Sequence, residues 1–401
     1  MMPLAVERFG AIPALTGLRF FAALMVFFSH YPIPGSSGKA AMIQNSGYAG
    51  VTFFFVLSGF IIAYNYLDKF ESDVRSSTVP YLIARFSRVY PLYIFCILYA
   101  WLNTGANTPL LVYLSATQAW SDDVYVAMGL NGPAWSISVE VFLYSLFPLI
   151  IPLLKYIGVL ASKNRLLIFM AVIVAAQFFL ALYFSLSGKG LLESVDPGSA
   201  HRWLYRAPIN RVLDFCLGIS AAIYYRRYMR ITAMSSRAWE VITYVAIGVI
   251  FFLMTWSLNY YSSFSWDASY ALPFTLVILS LVVARQSVIS RILSSPKVVL
   301  LGEASFAFYL IHTLVRGLYV VQPNVSLAQS LFHEAFFLVI LTALSIGLHI
   351  AIEKPAQKFI RALSRTRTAA VVSLGEPSAT TVAPIVAGQG APTNRERPEL
   401  G

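Results

Sequence analysis

Long apolar runs separated by short polar segments recur along the chain. Ten of them approach or exceed the length needed to cross a bilayer, covering roughly 14–32, 48–67, 83–102, 134–154, 166–187, 208–225, 239–257, 268–284, 302–320 and 334–353. Runs of that length predict membrane-spanning helices. The piece at 110–120 is apolar but short, and predicts a re-entrant or interfacial helix. The expected architecture is therefore all-α, a polytopic transmembrane helix bundle of about ten spans. From about Thr366 the chain turns to Ala, Ser, Thr, Gly and Pro with few large apolar residues. The expected division is a transmembrane domain over 1–365 and a disordered tail over 366–401.

Composition agrees with the pattern. Of 401 residues, 58% are hydrophobic and only 12% charged, about half the charge of a soluble domain. The excess of 29 Lys and Arg over 18 Asp and Glu would suit a nucleic-acid binder, but its distribution argues otherwise. With the N-terminus inside, 22 of the basic residues fall in inner segments, four in outer segments and three (Arg19, Arg211, Arg316) within spans. This positive-inside bias predicts an even number of spans with both termini cytoplasmic. No cleaved signal peptide is expected, because Glu7 precedes the first apolar run and Arg19 interrupts it. Cys96 and Cys216 both lie in apolar runs and are expected to be packed free thiols.

Candidate chemistry begins in the first span. Arg19 and His30 bracket ten residues, nine of them apolar. Eleven helical steps return to within roughly 20° of the starting direction and advance about 16 Å, so the two side chains share one face. A cation within an apolar helix costs at least ~2.5 kcal/mol on insertion and is normally kept where it meets a polar interior. An interfacial Arg with a His at the outer rim is the alternative. The second span carries Ser58 and Gly59 in an aromatic run, which allows close helix approach or shapes a narrow channel. Arg85 and Arg88, three apart at the inner end of the third span, match a phosphate-bearing ligand or anchor to lipid headgroups.

The fourth span opens with Trp135-Ser136-Ile137-Ser138-Val139-Glu140. Opposite chain directions place His30 and Glu140 in the outer half of the membrane. Glu140 there could set the tautomer of His30 or act as its acid–base partner, or could tie two helices together. Tyr309 and His312 are neighbours at three residues' spacing in the ninth span, either a core histidine satisfied by its helix or a second reactive group. His201, His333 and His349 show no metal-ligand spacing, and no metal is expected. Trp120, Tyr125, Trp256, Tyr260, Tyr261 and Trp266 form an interfacial belt or stack on sugar faces.

In combination these segments resemble the acyltransferase type 3 family of integral membrane O-acyltransferases. The motifs are Arg19-x10-His30, Phe-Phe-x-x-Ser-Gly-Phe ending at Phe60, Arg85-x-x-Arg88-x-x-Pro91 and Trp135-Ser-x-Ser-x-Glu140. Gly302-x-x-Ser305…Tyr309-x-x-His312 and Glu353-x-Pro355 complete them. They occur in order across residues 15–355, and the length matches stand-alone bacterial members without an extracytoplasmic hydrolase-like domain. The resemblance implies a multi-pass enzyme of the bacterial inner membrane that moves an acyl group, commonly acetyl from cytoplasmic acetyl-CoA, to a hydroxyl of a glycan or glycolipid acceptor. It implies Arg85 and Arg88, with Arg19, on the coenzyme phosphates, and His30 oriented by Glu140 as the base, with Trp135, Ser136, Ser138, Tyr309 and His312 shaping the site. A proton- or anion-coupled transporter using Arg19, His30, Glu140 and His312 as a relay is the alternative from another class; no inverted repeat is evident to support it.

Overall fold

In a computed structural model of the chain, residues 11–104, 108–229, 235–315 and 326–363 are described. The expected tail at 366–401 and the end of the expected ninth span at 316–320 lie outside them. Among the described residues the secondary structure is helical throughout, with no strand. In chain order the α-helices are α1 Pro13–His30, α2 Gly38–Asn45, α3 Ala49–Ser72, α4 Val74–Thr104, α5 Leu110–Leu114, α6 Val124–Ala127 and α7 Trp135–Tyr156. They continue with α8 Lys163–Leu186, α9 Pro208–Arg227, α10 Ser236–Thr255, α11 Ala268–Val283, α12 Val288–Leu293, α13 Pro296–Ile311 and α14 Leu327–Leu348.

Every expected span coincides with a helix, and eight stretches of the described residues are long and apolar enough to cross a bilayer. The two that are not, α9 and α13, depart for different reasons. The α9 helix carries Arg211 and Asp214 and is enclosed by α3, α7, α8 and α11. Its surroundings are protein, so it escapes the demand for apolarity that lipid contact imposes. The α13 helix is 16 residues long, beginning before the expected span and ending at Ile311.

One tight crossing is set by glycine on both sides. Where α3 meets α9, a Cβ on Gly59 would collide with the Phe215 carbonyl, and one on Gly218 with the Val56 carbonyl. Backbones this close need glycine on both helices. The neighbouring Ser58 lines the cavity described below.

The α4 helix starts earlier than expected, at Val74, which puts Arg85 and Arg88 well inside a helix rather than at the end of one. The short apolar piece folds as α5 and a turn. Gln118 behind it is fully buried, donating to Tyr93 Oη (3.1 Å) and the Ala134 carbonyl (2.9 Å). Both cysteines are buried free thiols. Trp120, Tyr125 and Trp256 are exposed, as a belt requires, whereas Trp266 packs with Tyr48 and Tyr205 at ring separations of 4.9 and 5.5 Å.

A buried ionic network braces these elements. Arg211, 0% exposed, donates from Nε to the Tyr205 carbonyl (2.8 Å) and from Nη2 to the Trp266 carbonyl (2.9 Å). Its Nη1 reaches Asp214 (2.8 Å), Thr52 Oγ1 (3.1 Å) and Asp267 (3.2 Å). Gln177 from α8 donates to both carboxylates (2.9 and 3.1 Å). A buried charge survives when its hydrogen bonds are met in this way.

Candidate active site

A cavity of about 330 Å³ opens at the end of the bundle that carries Arg85 and Arg88. Those arginines form one wall. Arg85 lies over the Tyr66 ring, 5.3 Å from its centroid, and its buried Nε has no hydrogen-bond partner. Arg88 makes no hydrogen bond or ion pair among the described residues. The opposite wall comes from α13 and from the π-helical turn His349–Glu353 that continues α14. There His349 Nδ1 is 2.9 Å from Glu353 Oε2, and Lys354 Nζ is 2.9 Å from Glu303 Oε2. One wall is paired internally. The other offers guanidinium groups not tied up by carboxylates.

At its inner end the cavity narrows to an extension of about 30 Å³, room for about one or two waters. Arg19 and Glu140 line both spaces. Glu140 accepts from Ser58 Oγ (3.2 Å), whose oxygen is also 3.5 Å from Tyr144 Oη. The extension ends at Ser136 and Tyr309, where Ser136 Oγ donates to Tyr309 Oη (2.9 Å) and Tyr309 Oη to the Pro133 carbonyl (3.3 Å).

One turn beyond Tyr309 stands His312, fully buried, with its Nδ1 2.7 Å from the Tyr309 carbonyl. Its Nε2 is 2.7 Å from Nδ1 of His30, and the two rings lie nearly parallel at 13° with centroids 5.0 Å apart. His30 is exposed. A series of polar groups thus runs from the arginine-lined cavity through Arg19 and Glu140 to Tyr309, His312 and His30.

The structure changes one pairing expected from sequence. Glu140 stands level with Arg19 at the narrowing, bonded to Ser58, and the side chain on Nδ1 of His30 is His312. Glu140 lies five residues beyond the start of α7, about 7.5 Å along its axis, whereas His30 is the last residue of α1, so the two side chains stand at different depths. Ser136 and Ser138 also separate: Ser136 faces the extension, while Ser138 Oγ accepts from the Ala119 amide (3.3 Å) and fastens the α5 turn. Trp135 is buried against Tyr205, with ring centroids 4.8 Å apart. Sequence reasoning passed over Tyr144 and Lys354, and gave Glu303, His349 and Glu353 no role in a site. Only the four-residue spacing of His349 and Glu353 could have hinted at a pair on one helical face.

These features define a multi-pass helical membrane protein with a series of polar groups running through its core. A family model described as an acyltransferase domain matches residues 12–353, and the chain belongs to this acyltransferase family. It is 31% identical over 335 residues to Acyltransferase MdmB of Streptomyces mycarofaciens, an alignment covering 78% of this chain and 80% of that protein. It is 23% identical over 348 residues to Peptidoglycan O-acetyltransferase OatA of Listeria monocytogenes, covering 78% of this chain and 51% of that one. Putative O-acetyltransferase SACOL0978 of Staphylococcus aureus is 24% identical over 335 residues, covering 76% and 50%. The chain spans about half the length of these O-acetyltransferase relatives. No solved structure matches it. The protein is a membrane acyltransferase, a transferase of acyl groups other than aminoacyl groups.

Proposed function

We propose that the protein moves an acyl group, acetyl first among candidates, from a cytoplasmic acyl-CoA to a hydroxyl of a glycan or glycosylated acceptor on the far side of a bacterial inner membrane. The observation that carries this reading is a single polar series: an arginine-lined cavity at one end, a histidine pair toward the other, and polar groups between them. Phosphates of the donor bind Arg85 and Arg88, whose planar donors suit phosphate oxygens. The acyl-pantetheine arm enters the helix bundle from the cavity past Arg19 and Glu140, and the narrowing, which holds only about one or two waters when empty, widens to admit it. The axial span from Arg19 to His30, about 16 Å, is of the order of that arm's length.

The chemistry assigned to His30 is general-base catalysis. Its imidazole takes the acceptor's hydroxyl proton as the oxygen attacks the thioester carbonyl carbon. The C–S bond breaks, the departing thiolate recovers the proton from His30, and an ester and a free thiol result. Relatives named as O-acetyltransferases support an oxygen acceptor and an acetyl donor.

The test is label transfer from acetyl-CoA to glycan acceptors by purified protein in vesicles. His30→Ala should abolish it with insertion retained, and Glu140→Gln should reduce it severely. Unlabelled acceptors throughout, with label or protons crossing the membrane instead, would replace this reading with the transporter. Turnover by folded His30→Ala within a few-fold of wild type would remove His30 from the chemistry.

A further inference from the structure

We infer that His312 is a positioning residue that fixes the tautomer of His30 and so directs its basic nitrogen, Nε2, to the acceptor. The inference rests on the proposal that His30 is the base, and follows from which atoms can donate. The Tyr309 carbonyl has only lone pairs, so His312 Nδ1, at 2.7 Å, carries the hydrogen. In a neutral imidazole the other nitrogen is then the acceptor. His312 Nε2 therefore presents its lone pair to His30 Nδ1, 2.7 Å away, and His30 must donate there. The lone pair of His30 is consequently on Nε2.

The arrangement has the logic of a catalytic triad, in which a third group holds the histidine in one tautomer and supports the imidazolium that forms. Here a neutral imidazole, backed by a main-chain carbonyl, stands where a carboxylate usually does. Helix ends supply part of the missing negative charge. His30 is the last residue of α1 and His312 caps the C-terminus of α13, so the negative poles of two helix dipoles meet at the pair and favour a proton arriving on it. Tyr31 Oη donates to the His312 carbonyl (3.2 Å), and Phe27 and Tyr309 flank the buried ring at centroid separations of 6.2 and 5.9 Å. These contacts hold His312 in place from both helices.

The pairing is tested by turnover and donor KM in reconstituted vesicles for His312→Leu, His312→Gln and His312→Asn beside His30→Ala. The Gln amide oxygen sits near the position of Nε2 and can accept from His30, whereas the Asn oxygen sits near that of Nδ1 and falls short. The expectation is a loss of about 10²-fold or more in kcat for Leu and Asn, an unchanged donor KM, and recovery by Gln to within about tenfold of wild type. A purely structural role would instead lower protein level and leave Gln and Asn alike. Inactive His30→Ala with fully active His312→Leu would refute the pairing alone. If Leu fails to accumulate, equal kcat for Gln and Asn refutes it. Activity in His30→Ala would overturn the base assignment itself, and this inference with it.

Discussion

Removing Arg85 and Arg88 is the sharpest perturbation of the donor cavity. Both side chains are half-buried on the same wall and neither is paired to a carboxylate, so their loss breaks no ion pair. A hydrogen bond to a charged group contributes about 1.5–3 kcal/mol net. Partial exposure and salt screening favour the lower figure for each. The double Ala variant should then lose roughly 3 kcal/mol of donor affinity, on the order of 150-fold in Kd. Each single variant should lose about tenfold, with incomplete additivity where both arginines hold one diphosphate. Arg88→Ala is the cleaner probe, because Arg85 also stacks on Tyr66. Calorimetric titration of coenzyme A into detergent-solubilised protein measures the effect, and affinity of the wild type should fall as salt rises. Arg165→Ala, an exposed arginine outside the cavity whose Nη1 donates to the Gly158 carbonyl (3.4 Å), controls for net charge. A double variant within threefold of wild type would show that these arginines do not bind the donor.

Three further expectations follow from other parts of the molecule. Reporter fusions should place residue 380 and the loop around 260 on opposite sides of the membrane, as the asymmetry of Lys and Arg requires; the same side for both would refute the topology. Arg211→Leu strands Asp214 and Asp267 without their guanidinium and should destabilise the fold by about 3–5 kcal/mol, read as lost yield and a lower melting temperature; an unchanged melting temperature would show the network to be dispensable. In the turn before α9, burial, reinforced by Arg206 and Arg211, holds the His201 imidazole down at about 4 from an ordinary 6.5. Because the unfolded chain binds the extra proton first, stability should decline as pH falls from about 6.5 towards about 4, and His201→Gln should flatten that decline in a pH series of thermal melts.

Whatever depends on one helix at a time was open to sequence reasoning. Apolar run lengths placed the helices, and the helical repeat put Arg19 and His30 on one face and Arg85 beside Arg88, because those relations need only 3.6 residues per turn. Ordered motifs extended this to the acyltransferase family. The inner limits of the method show at α9, where hydropathy measures fitness for lipid while the helix is surrounded by protein and can bury Arg211 and Asp214. They show again at Glu140, whose partner depends on how far α7 descends relative to α1 and on how each helix is rotated. The pairing of His30 with His312, 282 residues apart, and the wall built from Glu303, His349, Glu353 and Lys354 arise only once α1 packs on α13 and α14 folds back beside them. Local periodicity decides which side chains share a helix face; which faces meet is decided by backbone approaches, such as Gly59 on Phe215 and Gly218 on Val56, that join residues far apart in the chain.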